Sequence, residues 1–340
     1  MMATANAEAL LPATTTTMTM AQALNTAMMQ AMEADSRVVM LGEDIGKTGG
    51  VFRITDGLQQ RFGAERVMDS PLSESAIVGA AYGMAVGGLN PVVEIQFADY
   101  MFPAFDQIVS EVAKLRYRSG GDCACPMVIR SPYGGGIKGG HYHSQSPEAY
   151  YCHTPGLKVV IPSTPSEAAG LLLGAIHDPD PVIFLEPKRL YRSEKEAVTT
   201  PIQPIALGKA RHVREGSDIS LFCYGSMVSI CEAAAAKLAD EDGASVDVVD
   251  LRTLAPIDVE SILASVRKTG RAVIVYEAPK TCGYGSEIAA LIAEYAVDSL
   301  KAPIARVAGL DTPYPYTLES LYLPHPARVL RILRDTLNYR

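Results

Sequence analysis

Residues 69–79 read DSPLSESAIVG and lead into the run AIVGAAYGMAVGG at residues 76–88. That run has no charged residue and many small apolar ones, so we expect a helix that is packed closely on all sides. One carboxylate, Glu74, lies at the start of this helix. Ser, Asp and Glu are common at helix starts, where they bind free backbone N–H groups. Glu74 is therefore either a helix cap or an acid held in a dry place for chemistry, and this stretch alone favours the cap.

The segments around this helix alternate between short apolar strands and longer amphipathic helices. The pattern predicts strands at residues 38–41, 92–97, 127–130, 158–161 and 182–185, and helices at residues 20–33, 103–118 and 165–177. Such alternation is typical of a mostly parallel sheet covered on both faces, which is the α/β class. Gly42-Glu43-Asp44 follows the first strand, at the end where ligands bind in open α/β sheets.

The chain divides into two such units. Residues 186–205 lose the alternation and carry three prolines and the charge run KRLYRSEKE, so we place an interdomain linker at residues 191–208. The first domain then spans residues 18–190 and the second residues 209–340. The second repeats the pattern, with strands at residues 219–224, 245–250, 272–276 and 304–307, and helices at residues 227–239, 258–268, 285–296 and 326–338.

Composition limits the possible functions. The chain has 340 residues, 48% of them apolar, and a net charge of -8, which disfavours a nucleic-acid or anionic-membrane surface. No apolar run reaches transmembrane length. Residues 1–17 are low in complexity and contain no Lys or Arg, so we expect a disordered tail and a cytoplasmic protein without a presequence. The six cysteines form no CxxC pair, which favours reduced thiols over a zinc site.

Two segments offer side chains for chemistry. Residues 130–153 read RSPYGGGIKGGHYHSQSPEAYYCH and present His141 and His143 after a predicted strand. These are either exposed loop histidines or an acid/base group at the sheet edge, and a metal pair is weaker because no further ligand has a suitable spacing. Residues 94–106 read EIQFADYMFPAFD and hold Gln96, Tyr100 and Phe102, which form either core packing or a stacking wall for a flat ring. The Gly-rich loop at residues 277–286 is more typical of a turn or an interface.

Several runs together resemble one family. They are LGEDIG at 41–46, RVMDSPLSESAIVG at 66–79, EIQFADYMFPAFDQIV at 94–109, HYHSQSPEA at 141–149 and DLRTLAPID at 250–258. Over about residues 18–339 the chain resembles the beta subunit of the thiamine-diphosphate-dependent 2-oxoacid dehydrogenases. FADYMFPAFDQIV and HSQSPEA look most like the branched-chain members. Pyruvate or acetoin as the substrate, and a scaffold subunit without catalysis, are the alternatives.

The resemblance implies a fold, a reaction and site residues. The fold would be a transketolase-like pyrimidine-binding domain followed by a transketolase C-terminal-like domain. The reaction would be oxidative decarboxylation of a branched-chain 2-oxoacid with reductive acylation of a lipoyl group. The cofactor becomes nucleophilic when its thiazolium loses a proton, and a carboxyl group at N1′ of the aminopyrimidine promotes that loss. By resemblance Glu74 is this carboxyl, with Leu72 beside it and Gln96 and Tyr100 lining the aminopyrimidine pocket.

By the same resemblance His143 supplies a proton during lipoyl acylation, and nothing is carried over to His141. Asp178 and Asp180 match a place where some members hold a potassium ion with backbone oxygens. An ordinary turn rich in Asp and Pro is the favoured alternative there.

The chain has neither the GDG motif nor the Asn-Asn pair with which the family binds the diphosphate and Mg²⁺. The resemblance therefore implies an alpha subunit that supplies that half and an α2β2 heterotetramer with the cofactor at the α/β interface. The second domain would pair the beta subunits and dock to the acyltransferase core that carries the lipoyl arm.

Overall fold

The structure of the protein, a computed structural model, describes residues 13–339. In chain order its strands are β1 (Thr14–Thr19), β2 (Val38–Gly42), β3 (Val67–Asp69), β4 (Asn90–Glu94), β5 (Val128–Tyr133), β6 (Lys158–Val160), β7 (Val182–Pro187), β8 (Lys195–Thr200), β9 (Arg211–Arg214), β10 (Ile219–Cys223), β11 (Val246–Asp250), β12 (Thr253–Ala255), β13 (Ala272–Pro279) and β14 (Ala305–Gly309). The α-helices are α1 (Met20–Ala34), α2 (Leu58–Phe62), α3 (Glu74–Val86), α4 (Leu115–Arg118), α5 (Glu148–Cys152), α6 (Pro165–Ile176), α7 (Met227–Asp242), α8 (Val259–Thr269), α9 (Gly285–Ala296), α10 (Glu319–Tyr322) and α11 (Pro326–Leu337).

The larger sheet has seven strands in the order β12-β6-β7-β5-β4-β2-β3. All its pairings are parallel except that of β12, which joins one edge antiparallel to β6. β2 pairs with β3 on one side and with β4 on the other, so the strand order reverses at β2. Ligands of open α/β sheets bind at such a switch point, beyond the carboxyl ends of the strands.

The second sheet has five strands in the order β14-β13-β10-β11-β9. It is parallel except for the edge strand β9. The predicted α/β class and the two successive parallel sheets are therefore confirmed. None of the helices within residues 13–339 is long and apolar enough to cross a membrane.

The expected tail and linker meet in a small sheet of their own. β1 pairs antiparallel with β8, and Thr14 lies opposite Thr200. The prediction of disorder is therefore wrong for residues 14–17, and residues 1–12 lie outside the described residues. Thr is β-branched and favours extended backbone. The low complexity of this segment concealed its preference for extended backbone. The segment forms a strand because a second extended segment lies opposite.

The helix predicted at residues 103–118 is wrong as a single α-helix. A π-helical turn at Gln107–Glu111 and a 3-10 turn at Val112–Lys114 precede the short helix α4. At this break the backbone of Gly156 packs against the Ala113 carbonyl so closely that a Cβ on Gly156 would overlap it. The strand predicted at residues 92–97 is also shifted, because β4 ends at Glu94.

Helix α3 begins at Glu74, as predicted, but only one of its faces is covered. Ile77, Val78 and Ala81 are buried against the larger sheet, whereas Ala76 and Val86 are exposed. The expectation of close packing on all sides is therefore wrong for this chain by itself. The uncovered face has no charge, and contiguous uncharged surface of this kind is typical of an interaction site.

Candidate active site

Four loops bring polar side chains to the carboxyl edge of the larger sheet. Glu43 follows β2, Glu74 follows β3, Tyr100 follows β4 and His143 follows β5. Burial, together with the charges of Asp99, Glu74 and Glu43, raises the pKa of the Tyr100 hydroxyl. The two glutamates therefore lie within Coulombic range of Tyr100, at the switch point where a ligand is expected.

Tyr100 and His143 form the most direct contact of this site. The Tyr100 hydroxyl lies 2.8 Å from Nε2 of His143, and Nδ1 of the same ring lies 3.3 Å from the Gly139 carbonyl. In the neutral ring, Nδ1–H donates to that carbonyl, which leaves Nε2 to accept from Tyr100. The ring is thus held at both nitrogens.

The aromatic residues after β4 pack edge-on against other rings of the protein, and a stacking wall for a flat ring stays a prediction. Phe97 packs edge-on against the His143 ring, with 4.6 Å between centroids, and against Tyr100 at 5.7 Å. Phe102 instead pairs with Tyr150, and its ring is partly exposed. Phe97 and Tyr100 therefore wall the histidine, and Phe102 belongs to a different contact.

Glu43 lies near enough to Glu74 for the charge of Glu74 to act on it. Burial, and then the negative charge of Glu74, raises the pKa of Glu43. Within residues 13–339, Oε1 of Glu43 is buried without a hydrogen-bond partner. Ser73, the residue before α3, makes no side-chain cap. The charge of Glu74 therefore opposes ionisation of Glu43, because like charges resist ionising together.

Leu72 and Gln96 stand apart from these contacts. Leu72 is 80% exposed on the loop that leads to Glu74, and Gln96 is half-buried just after β4. In the described part of the chain, no hydrogen bond joins Gln96 to the other predicted site residues. Both remain predictions as cofactor contacts.

Residues 134–145, which we call the histidine loop, are held by three buried carboxylates. Asp99 accepts from the Gln145 side chain at 2.9 Å, and Gln145 also donates to the His141 carbonyl at 2.8 Å. Two more carboxylates come from the second half of the chain. Glu277 accepts from the backbone N–H of Gly135 and Glu319 from that of Lys138, each at 2.9 Å.

Glu277, the first residue of the Gly-rich segment at residues 277–286, lies in β13 and contacts the histidine loop. The His141 side chain is exposed and lies against Tyr142, with ring centroids 4.1 Å apart. The plain interpretation of His141 as an exposed loop histidine holds in this structure.

Glu148 lies behind the histidine loop at the first position of α5 and is fully buried. The Tyr224 hydroxyl donates to its Oε1 at 2.7 Å, and its Oε2 has no partner among residues 13–339. Burial raises the pKa of Glu148 to about 7. This carboxyl joins the first half of the chain to the second and keeps its proton in mildly acidic solution.

Asp178 and Asp180 are both engaged by cations of the protein. Lys158 lies 2.6 Å from Asp178, and Arg116 forms an ion pair with Asp180. Their carboxylates therefore serve in ion pairs, and a potassium ion at this turn would depend on backbone oxygens. The potassium site remains a prediction.

Sequence reasoning missed the groups that support the histidine loop. Asp99, Glu277 and Glu319 lie in three separate segments and meet only through the fold. Glu43 was also not predicted as a site residue. Its position at the end of β2 was a signal that could have found it, because ligands collect at strand ends.

Comparison with known proteins places the chain in a family. Residues 16–194 match the transketolase pyrimidine-binding domain and residues 208–329 the transketolase C-terminal domain. The chain is 51% identical over 332 residues to the 2-oxoisovalerate dehydrogenase subunit beta of Pseudomonas aeruginosa, covering 93% of this chain and 94% of the relative. It is 47% identical to the pyruvate dehydrogenase E1 component subunit beta of Staphylococcus epidermidis, covering 95% and 99%.

A solved structure titled split gene transketolase, inactive beta4 tetramer, has the same fold, with a TM-score of 0.77 at 23% identity over 94% of this chain and 98% of the other. The predicted family and fold are confirmed, and the word beta in the relatives' names implies an alpha partner. The chain belongs to the family of 2-oxoacid dehydrogenase beta subunits, in which a transketolase pyrimidine-binding domain precedes a transketolase C-terminal domain.

Proposed function

We propose that this chain, together with an alpha subunit, carries out oxidative decarboxylation of a branched-chain 2-oxoacid and reductive acylation of a lipoyl group. The observation that carries the proposal is the meeting of Glu74, Tyr100 and His143 at one sheet edge, from loops after three different strands. The relatives named 2-oxoisovalerate dehydrogenase support the branched-chain substrate. Pyruvate is the second candidate, because relatives named pyruvate dehydrogenase are almost as similar.

The residues present fit one half of thiamine diphosphate, on which membership of this family implies dependence. Oε1 of Glu43 is buried without a hydrogen-bond partner in the described chain, and Glu74 lies near it at the same sheet edge. Carboxyl oxygens of this kind suit the amino group and ring nitrogens of an aminopyrimidine. Leu72 offers an exposed apolar contact next to them. When bound, the cofactor supplies a nucleophilic carbon that adds to the 2-oxo group and accepts the electrons released with carbon dioxide.

Glu74 would hold a shared proton at N1′ of that ring. Glu43, whose ionisation is opposed by burial and by the charge of Glu74, would lie beside that ring as well. Gln96 and Tyr100 would line the pocket. These roles are proposals that rest on the position of α3 at the switch point.

In its protonated form, with a proton on both ring nitrogens, His143 would donate the proton that the departing sulfur of the lipoyl dithiolane takes up. In that step the acyl carbon would form a bond to one sulfur, the S–S bond would break and the second sulfur would be protonated, and the bond that held the acyl carbon to the cofactor would then break. Tyr100 and the Gly139 carbonyl orient the imidazole for this donation. Phe97 excludes water from one side of the ring.

The site is one half of an active site. We infer that the alpha subunit holds the diphosphate and Mg²⁺, because the GDG and Asn-Asn motifs are absent from the 340 residues. The uncharged exposed face of α3 and the exposed Leu72 are surfaces that such a partner would cover. An α2β2 heterotetramer docked to a lipoyl acyltransferase core is the proposed assembly.

The remaining sequence-based expectations stay proposals. These are the domain limits at residues 18–190 and 209–340, the cytoplasmic location, and the potassium ion near Asp178 and Asp180. The matched regions at residues 16–194 and 208–329 support these domain limits without fixing them.

Reconstitution with the alpha subunit tests the proposed function. We expect the chain alone to bind no thiamine diphosphate and to turn over no 2-oxoacid, and the mixture to oxidise 2-oxoisovalerate in preference to competing pyruvate or acetoin. Preference for pyruvate or acetoin would replace the branched-chain substrate, and turnover by the chain alone would contradict the shared site. A reconstituted tetramer that turns over none of the three would favour the scaffold alternative.

A further inference from the structure

Lys188 is a buried cation that the proposed chemistry does not use. It follows β7, is 4% exposed, and its Nζ has no hydrogen-bond partner in the part of the chain that the structure describes. The ammonium lies 5.7 Å from the centroid of the Phe97 ring, which packs against His143. An ammonium is rarely buried without partners, because losing its hydration is costly.

The charges that offset this cost are the three carboxylates that hold the histidine loop. Asp99, Glu277 and Glu319 all attract the Lys188 ammonium. Each of them is also buried and accepts a hydrogen bond from the histidine loop. One cation is therefore shared by the groups that fix the two ends and the middle of the loop.

Removing this charge would weaken the carboxylates as acceptors. Burial already raises the pKa of Asp99 and of Glu277, and the Lys188 ammonium opposes the rise in both. An ionised carboxylate accepts stronger hydrogen bonds than a protonated one. Loss of the cation therefore favours protonation of these groups or, at a pH that keeps them ionised, leaves like charges that repel one another. Either change weakens their hydrogen bonds to the loop.

Other groups facing these carboxylates do not replace the cation. Glu277 also accepts from Ser226 and is attracted by Arg189, which is exposed and therefore screened by solvent. The Tyr314 hydroxyl donates to Glu319 at 3.1 Å. Tyr133 also faces Glu277, and its phenol is neutral because burial and the nearby carboxylates raise its pKa.

We propose that Lys188 is a positioning residue whose ammonium is the common counter-ion of Asp99, Glu277 and Glu319 and thereby keeps the histidine loop ordered. The consequence for catalysis rests on the proposed role of His143, whereas the order of the loop does not.

The loop should therefore respond to pH. Burial lowers the pKa of Lys188 to about 8, so its charge is lost as the pH rises through that value. The histidine loop should then become less protected, while peptides elsewhere in the larger sheet keep their protection.

The first experiment compares Lys188→Met with Lys195→Met, a control at an exposed lysine of β8, in the full chain assembled with its alpha subunit. We expect trypsin to cleave after Lys138 roughly tenfold faster in Lys188→Met, and hydrogen exchange of residues 134–145 to accelerate by about the same factor. Lys138 is exposed and lies inside the loop, so it reports directly on loop opening. Equal rates in the two variants would overturn the proposal.

The unsubstituted protein gives a second measurement that does not depend on how the variant folds. Exchange of residues 134–145, corrected for intrinsic rates, should accelerate between about pH 7 and about pH 9.5. Unchanged protection across that range would overturn the proposal even if Lys188→Met failed to fold.

Activity then separates this proposal from the role of His143. If the loop loosens in Lys188→Met, we expect kcat for lipoyl acylation to fall roughly tenfold with KM for the 2-oxoacid unchanged. A loosened loop with unchanged acylation would support the positioning role of Lys188 and contradict the assignment of His143. If the histidine loop stays ordered in Lys188→Met, the positioning role of Lys188 is contradicted, whatever the activity of the variant.

Discussion

The Tyr100 hydroxyl and Nε2 of His143 lie 2.8 Å apart, although 43 positions separate the two residues in the chain. The contact joins the loop after β4 to the loop after β5, two neighbouring strands of the larger sheet. Its geometry holds the imidazole with Nε2 as the acceptor in the neutral ring. The proposed proton donor is therefore oriented by a residue that was first expected only to line a cofactor pocket.

Tyr100→Phe removes this hydrogen bond and keeps the ring. A net hydrogen bond contributes about 0.5–1.5 kcal/mol, so we expect lipoyl acylation to slow by roughly twofold to tenfold. Decarboxylation measured with an artificial electron acceptor should change less. Tyr142→Phe, at an exposed tyrosine of the same loop, is the control. An unaltered acylation rate in Tyr100→Phe would show that the contact does not orient the catalytic ring.

His143→Ala removes the proposed proton donor. General acid catalysis contributes about 10²–10⁴-fold, so lipoyl acylation should fall by at least roughly 100-fold. Reduction of an artificial acceptor needs no proton on a departing sulfur and should be affected far less. His141→Ala is the matched control, because its side chain is exposed and only its carbonyl supports the loop. Equal losses in the two assays would count against the specific role of His143.

Glu148→Gln should change how stability depends on pH. The pKa of Glu148 is raised from 4.5 to about 7 in the folded chain, so the folded state holds a proton that the unfolded state releases. Its contribution to stability is present below about pH 4.5 and is lost as the pH rises through about 7, an effect of roughly 3 kcal/mol.

Urea unfolding across this pH range measures the effect. The free energy of unfolding of the unsubstituted chain, relative to Glu148→Gln, should fall as the pH rises from about 4.5 to about 7. A difference between the two proteins that stays constant with pH would show that Glu148 does not titrate in this range.

Arg130→Met should destabilise the chain strongly. Arg130 is buried between β4 and β7 and donates to Glu94 at 2.8 Å and to Glu186 at 2.7 Å. Removing it leaves two buried carboxylates without a counter-ion, which costs about 3–5 kcal/mol. Arg37→Met, which breaks an exposed pair with Asp35, should cost much less. Similar unfolding midpoints for the two variants in urea would contradict the importance of the buried group.

The sequence predicts the helices whose apolar spacing is regular. α1 has buried residues at the expected positions, including Leu24 and Met28, because its apolar face packs against α6 and the larger sheet. Glu74 is likewise found at the start of α3, where the polar loop meets the uncharged run.

The remaining features depend on contacts between distant segments. β1 becomes a strand because β8 lies opposite, and the break at Val112–Lys114 lies where Gly156 packs. For the candidate site, the resemblance located Glu74 and His143. Lys188 and the carboxylates around it become neighbours only when both halves of the chain fold together. No local sequence pattern therefore predicts that they lie close to one another.

The central claim, that Glu74 activates a cofactor shared with the alpha subunit, is tested most directly by Glu74→Gln in the reconstituted tetramer. Glutamine keeps the size of the side chain but cannot hold a shared proton. We predict that decarboxylation of 2-oxoisovalerate falls by roughly 100-fold or more while the unfolding midpoint and assembly with the alpha subunit stay the same, and that Glu65→Gln at an exposed position has no effect. Decarboxylation at the unsubstituted rate in a folded, assembled Glu74→Gln tetramer would contradict the account.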